Sequence, residues 1–137
     1  MARTAAHEMF DRDAASRGLG MELIGAADGA AEVRMPVTPA MVNGHDIAHG
    51  GFVFLLADTA FACACNSHGP VTVAAGADIA FLRPVRTGEV LVAQARERVR
   101  QGRTGIYDVT VTREGTDEVV AEFRGRSHVV RAPGAPR

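Results

Sequence analysis

Lysine and tryptophan are absent from the 137 residues, and tyrosine occurs once. Without lysine there is no lysine Schiff base and no amine general base; all 15 basic residues are arginine. Cysteine is nearly as scarce. Cys63 and Cys65 sit one residue apart, where helical side chains point in different directions, so no disulfide between them is expected. Two ligands do not close a zinc site, and the pair reads as small apolar residues in a reduced compartment. Excess charge is missing too: a net charge of −1 leaves no broad basic footprint for nucleic acid or an anionic membrane. The start, Met1-Ala2-Arg3-Thr4-Ala5, lacks the apolar core of a signal peptide. The expected setting is cytoplasmic.

What remains is a globular composition, with 47% apolar and 23% charged residues. The length fits one domain, expected over residues 1–131, with 132–137 (Ala-Pro-Gly-Ala-Pro-Arg) as a flexible tail. Residues 5–16 read as a short helix carrying Met9 and Phe10. Alternation then begins at Leu19, Met21 and Leu23 and resumes at Ala31, Val33, Met35 and Val37, with Asp28-Gly29 between as a hairpin turn. An irregular stretch from Thr38 to Ala48 follows, and then the apolar segment Gly50 to Ser67. Four more strands are expected: Val71–Phe81 with its odd-numbered residues on one face, Val90–Val99, one around Tyr107–Val111, and one from Val119 to Gly125. The order predicts an α+β domain in which one sheet wraps one helix.

Between Phe52 and Cys65 only Asp58 and Thr59 are polar. Fourteen residues are too few to span a bilayer, so this is a buried helix. No arginine lies between Arg34 and Arg83, which leaves Asp58 without a local ion-pair partner. Such a carboxylate must find a hydrogen-bond donor elsewhere or have its pKa raised, and groups of that kind concentrate at functional sites. A buried structural Asp is the bland alternative. His49-Gly50-Gly51 opens the same helix, where unpaired N–H groups and a positive dipole suit a polarised carbonyl or an oxyanion. Eight residues of helix separate Gly50 from Asp58 by about 12 Å, too far for both to act on one carbonyl. Two antiparallel copies side by side would bring Asp58 of one against Gly50 of the other, so the expected site lies between subunits.

The set Asn43-Gly44-His45, His49-Gly50-Gly51, Leu56-Ala57-Asp58-Thr59-Ala60, Asn66-Ser67 and Phe81-Leu82-Arg83-Pro84 resembles the hotdog-fold acyl-CoA thioesterases, and within them the PaaI branch. The resemblance implies hydrolysis of an aryl-acetyl (phenylacetyl or hydroxyphenylacetyl) or medium-chain acyl-CoA to free acid and coenzyme A. It calls for no cofactor and no metal, and implies a homodimer assembling to a homotetramer. The Gly50 amide would polarise the thioester carbonyl, and Asp58 of the neighbouring subunit would be nucleophile or general base. Asn43 would orient the carbonyl or water, and His49 would shape the loop bearing Gly50. Gly51, Thr59, Phe52, Arg83 and Arg86 are expected to contact substrate, with Phe54, Phe61 or Met41 as further acyl lining. Family members often place a Ser or Thr on the strand after the helix; here that stretch is Ala74-Ala75-Gly76, with Thr59 and Thr72 the nearest hydroxyls.

Other patterns are weaker. His45, Asp46 and His49 lack a third strong metal ligand. Arg96, Arg98 and Arg100 are expected on one solvated strand face, or on coenzyme A phosphates. His68 and His128 read as surface residues, and Asp78 and Asp108 as solvent-facing. The alternatives to a thioesterase are an acyl-CoA-binding hotdog protein without catalysis and, on a different motif, an acyl-CoA hydratase or dehydratase.

Overall fold

The computed structural model describes residues 2–131; the proposed tail, 132–137, lies outside them. One six-stranded antiparallel sheet runs β1 (Glu22–Ala27), β2 (Ala30–Pro36), β4 (Val90–Gln101), β5 (Thr104–Arg113), β6 (Val119–Arg131), β3 (Val71–Phe81). It curls around a single long helix, α3 (Gly50–Asn66), which touches all six strands. This is the hotdog arrangement, with the helix and strand order expected from the hydrophobic periodicity.

The helix can lie so close to the sheet because its inward positions are mostly small. Leu56, Ala57, Ala60, Cys63 and Ala64 are fully buried, and burial pushes the thiols of Cys63 and Cys65 up to about 12. They are inert packing groups. Phe61 fills the centre, tilted against Tyr107 and Phe123 at ring-centroid distances of 5.7 and 5.8 Å. Gly125 of β6 lies directly under that ring: a Cβ there would stand 2.8 Å from three ring atoms. Phe61 and Met41, expected to line an acyl pocket, are therefore core residues, 1% and 2% exposed.

Asn66 fastens the C-terminal end of α3 to β3. Its side-chain amide donates to the Ala62 and Thr72 carbonyls, both at 2.9 Å, and its oxygen accepts the Thr72 N–H at 3.0 Å. The β1–β2 turn is the two-residue one that Asp28-Gly29 signals, with φ of 53° and 81°.

Three expectations change. The N-terminal helix is two pieces, α1 (Ala5–Asp11) and α2 (Ala14–Gly18), because Asp13 accepts from the Ser16 N–H and restarts the helix as an N-cap. In β3 the register slips at Val71/Thr72 and again at Ala74/Gly76. A bulge reverses which face a side chain meets. Val71 and Val73 are consequently exposed at 42% and 47%, and Thr72 is buried, while Ala77 and Ile79 pack against the core. A third slip, at Glu97/Val99 of β4, breaks the shared face of Arg96, Arg98 and Arg100.

Candidate active site

A groove of about 350 Å³ opens at the N-terminus of α3. Its floor is Gly50 and Val53; one wall is Asn43, Ile47 and Ala48, and the other is Phe81 to Val85 with Val120 of β6. Two separate sequence motifs, Asn43…Gly50 and Phe81-Leu82-Arg83-Pro84, thus meet in one place.

The local hydrogen bonds explain why. The Asn43 carbonyl oxygen Oδ1 accepts the His45 N–H at 2.9 Å and the Ile47 N–H at 3.4 Å, while the Asn43 N–H donates to the Ile47 carbonyl at 2.8 Å. The loop closes with Asp46 at a positive φ of 62°. Ala48 N–H then donates to the Val85 carbonyl and His49 N–H to the Met41 carbonyl, each at 2.7 Å, so the loop is pinned on both sides. With Oδ1 engaged in the turn, the Asn43 group left for the groove is its amide N–H₂, a donor.

His49 is the N-cap of α3, and its Nδ1 accepts the Gly51 N–H at 3.1 Å. Phe52 N–H is taken by the His49 carbonyl. Gly50 N–H has no acceptor among the described residues, and it stands at the positive end of a five-turn helix. Gly51, whose amide His49 occupies, is exposed and is not part of the groove lining. Phe52 and Phe54 are half-buried against the core, with Phe54 edge-on to Phe123 at 5.4 Å.

Among the described residues, no carboxylate lines the groove. Asp58 is two turns further along α3, half-buried and without a hydrogen-bond partner among the described residues. Burial raises its pKa above 3.8, and the nearby charge of Asp13 raises it further. An unpaired carboxylate with a raised pKa on a helix flank is poised to accept a proton or to attack.

The two candidate hydroxyls are occupied. Thr59, 4% exposed, donates to the Leu55 carbonyl at 2.8 Å and bonds Ser16 Oγ at 2.9 Å. Thr72 donates to the Pro70 carbonyl at 2.9 Å. Thr59 is thus a packing contact to α2 rather than a substrate contact. Arg83 lies on the groove rim, donating to the Val119 carbonyl and standing 3.5 Å from Glu118. Arg86 is nearby and exposed, reaching the Asp46 carbonyl at 3.4 Å.

The remaining charged residues depart from expectation at Asp108, Arg100 and His68. Asp108 is held by Arg124 through two bonds of 2.7 and 3.0 Å, which keeps its carboxyl below the usual range. Arg98 joins that cluster at 3.7 Å, but beyond the β4 bulge Arg100 turns instead to Glu97, also at 3.7 Å. His68 is not a free surface residue: its Nε2 lies 2.7 Å from Glu97 Oε1, which also accepts from the Tyr107 hydroxyl at 3.0 Å. Nothing local in the sequence signals this cluster, since a bulge and three separate elements make it. Asp78 and His128 are exposed as expected. Among the described residues, no group of three or more His, Cys, Asp or Glu is gathered to hold a metal. No helix among the described residues is long and apolar enough to cross a membrane.

The family model for the thioesterase superfamily matches residues 45–120. The Escherichia coli (strain K12) protein named acyl-coenzyme A thioesterase PaaI is 46% identical over 123 residues, 90% of this chain and 87% of its own length. The solved structure of the E. coli PaaI protein from the phenylacetic acid degradation operon superposes with a TM-score of 0.90 at 44% identity, covering 93% of this chain and 92% of that one. A Streptococcus mutans protein solved bound to acetyl CoA superposes with a TM-score of 0.78 at 25% identity, covering 82% and 90% respectively.

Proposed function

This chain belongs to the thioesterase superfamily and is a thioester hydrolase of the PaaI acyl-CoA type, and on that premise we propose how its site is assembled and what it hydrolyses. The observation that carries the reading is the pairing of an unpartnered Gly50 amide, in a groove without any carboxylate, with an unpaired Asp58 on the same helix. Each half of a catalytic site needs a second copy of the chain.

Strand β3 gives that copy a place to bind. It is an edge strand of 11 residues whose only charged side chain is Asp78, and Val71 and Val73 stand exposed on it. Edges this long and this little protected pair readily with another strand. A two-fold axis across β3 sets two sheets edge to edge and two α3 helices antiparallel, with Asp58 of each facing Gly50 of the other. A second pairing of such dimers gives the homotetramer.

In the complete site the Gly50 N–H and the Asn43 amide donate to the thioester oxygen, drawing electrons from the carbonyl carbon. That donation strengthens as the oxygen becomes an anion, which is the condition for a rate effect. The partner's Asp58 either attacks the carbonyl carbon, giving an acyl anhydride that water then hydrolyses, or takes the proton of a water that attacks it. In both routes the C–S bond breaks and coenzyme A leaves as the protonated thiol. His49, by occupying the Gly51 amide, leaves Gly50 as the single free donor of the helix start. Arg83 and Arg86 sit at the outer end of the groove, where coenzyme A phosphates would enter, so the apolar groove takes the thioester end. The acyl group proposed is aryl-acetyl (phenylacetyl or hydroxyphenylacetyl) or medium-chain, lying toward Phe52 and the partner helix.

Thiol release from aryl-acetyl, benzoyl and aliphatic acyl-CoAs tests the reading, with wild type compared with Asp58→Asn. Turnover lost in the variant, with the oligomer intact, is the expected result. The engaged hydroxyls of Thr59 and Thr72 favour a second reading, an acyl-CoA-binding protein without catalysis. A folded wild type that binds coenzyme A esters and cleaves none would establish that instead.

A further inference from the structure

Phe81, the last residue of β3, lays the Cζ end of its ring face over Gly50. A Cβ on Gly50 would lie 3.0 Å from the Phe81 Cζ and 3.4 Å from both Cε atoms. Yet the same ring is 54% exposed, and it lines the groove beside Leu82. Its backbone is fixed: Phe81 pairs with Ala121, and the Leu82 and Arg83 N–H groups both reach the Val120 carbonyl, at 2.8 and 3.3 Å. Gly50 is fixed in turn by the helix. The backbones that carry the ring and the glycine are thus both anchored.

An oxygen accepting from the Gly50 N–H stands about 2.9 Å from that nitrogen. A carbonyl held there lies in the groove that the Phe81 ring lines beside Gly50. One backbone N–H holding a neutral carbonyl is a weak interaction in water and a stronger one where water is excluded. A half-exposed apolar ring at that point supplies the exclusion.

We propose that Phe81 contacts the substrate directly and positions it, its ring seating the acyl-CoA thioester against the Gly50 amide and shielding the carbonyl from water. The proposal rests on the thioesterase reading above. It also bears on glycine at position 50. The backbone there is ordinary helix and alanine would keep the N–H, so the cost of a side chain is the methyl-to-ring contact, which would push the ring off the amide by a few tenths of an ångström.

The test is steady-state thiol release by wild type, Phe81→Ala, Phe81→Leu, Gly50→Ala and the double variant Gly50→Ala/Phe81→Ala, with the oligomer of each checked by ultracentrifugation. Phe81→Ala is expected to lower kcat on the order of ten- to a hundredfold on every ester that wild type hydrolyses. Phe81→Leu should restore part of the loss, and the double variant should be no slower than Phe81→Ala, since the new methyl has no ring to strike. Should Phe81→Ala disturb the oligomer, Phe81→Leu alone decides, with wild-type kcat as the overturning result. A Phe81→Ala enzyme with wild-type kcat and KM overturns the proposal, as does a double variant restored to wild-type rate. A wild type that cleaves no ester overturns the thioesterase reading itself, and this inference with it.

Discussion

Gly50 and Asp58 ride on the same helix, but only Gly50 opens on the groove; Asp58 lies eight residues on, half-buried and unpaired. Among the described residues, no carboxylate lines the groove at Gly50 and no hydrogen-bond donor meets Asp58. The arrangement makes sense for an antiparallel pair of helices, in which each site draws one group from each chain.

Mixed dimers read this out. Co-expressed Asp58→Asn and Asn43→Asp chains form heterodimers in which one composite site carries both changes and the other carries none. A one-to-one mixture is expected to recover about a quarter of wild-type turnover from two nearly inactive parents. Sites built within one chain would recover none.

The pH profile of the reaction follows from Asp58. Burial raises its pKa, and the charge of Asp13 adds to the effect, so the acid limb of kcat/KM should lie above the ordinary carboxylate value of 3.8. The same shift weakens the fold. The folded state holds the proton more tightly than the unfolded chain, so stability declines as pH rises from 3.8 through the raised value. Asp58→Asn should therefore abolish turnover and raise the melting temperature at neutral pH, measured on the same preparation.

Asn43 has two separable tasks. Its Oδ1 closes the 43–47 loop, and its amide N–H₂ is left for substrate. Asn43→Asp keeps the acceptor and removes the donor. Its kcat/KM should fall about ten- to a hundredfold with little change in melting temperature. A large loss of stability would instead mean that the loop, not the donor, had been damaged.

Acid stability should depend on Glu97. Burial pushes its pKa up, but the bonds from His68 and Tyr107 and the charge of Arg100 outweigh that and hold it below 4.5. Its contribution is then present above 4.5 and lost as pH falls through the lowered value. Glu97→Gln should cost about 1–2 kcal/mol near neutral pH. Its denaturant midpoint should also fall less steeply than wild type's below pH 4.5.

Much of this was legible before folding. The odd carboxylate in an apolar helix, the Gly-Gly start and the Asp28-Gly29 turn are local signals, and each lies where its chemistry indicates. Alternation over Tyr107, Val109 and Val111 likewise marks a face that is buried. It failed at Val71 and Val73, and at Arg100, because a bulge adds one residue and inverts a face without leaving a mark in the alternation. Phe61 and Met41 were misassigned because an aromatic or thioether side chain suits a core as well as a pocket.

The residues thus determined the kind of element at each position, the helix at the centre and the groups able to do chemistry, since propensity, polarity and spacing act over a few residues. Tertiary structure decided which of those groups meet. It turned Thr59 and Thr72 inward, drew His68 and Tyr107 onto one oxygen of Glu97, and set Phe81 against Gly50. Such meetings depend on strand register and on how tightly a sheet curls round a helix. Both are properties of the packed whole, carried by no single stretch of the chain.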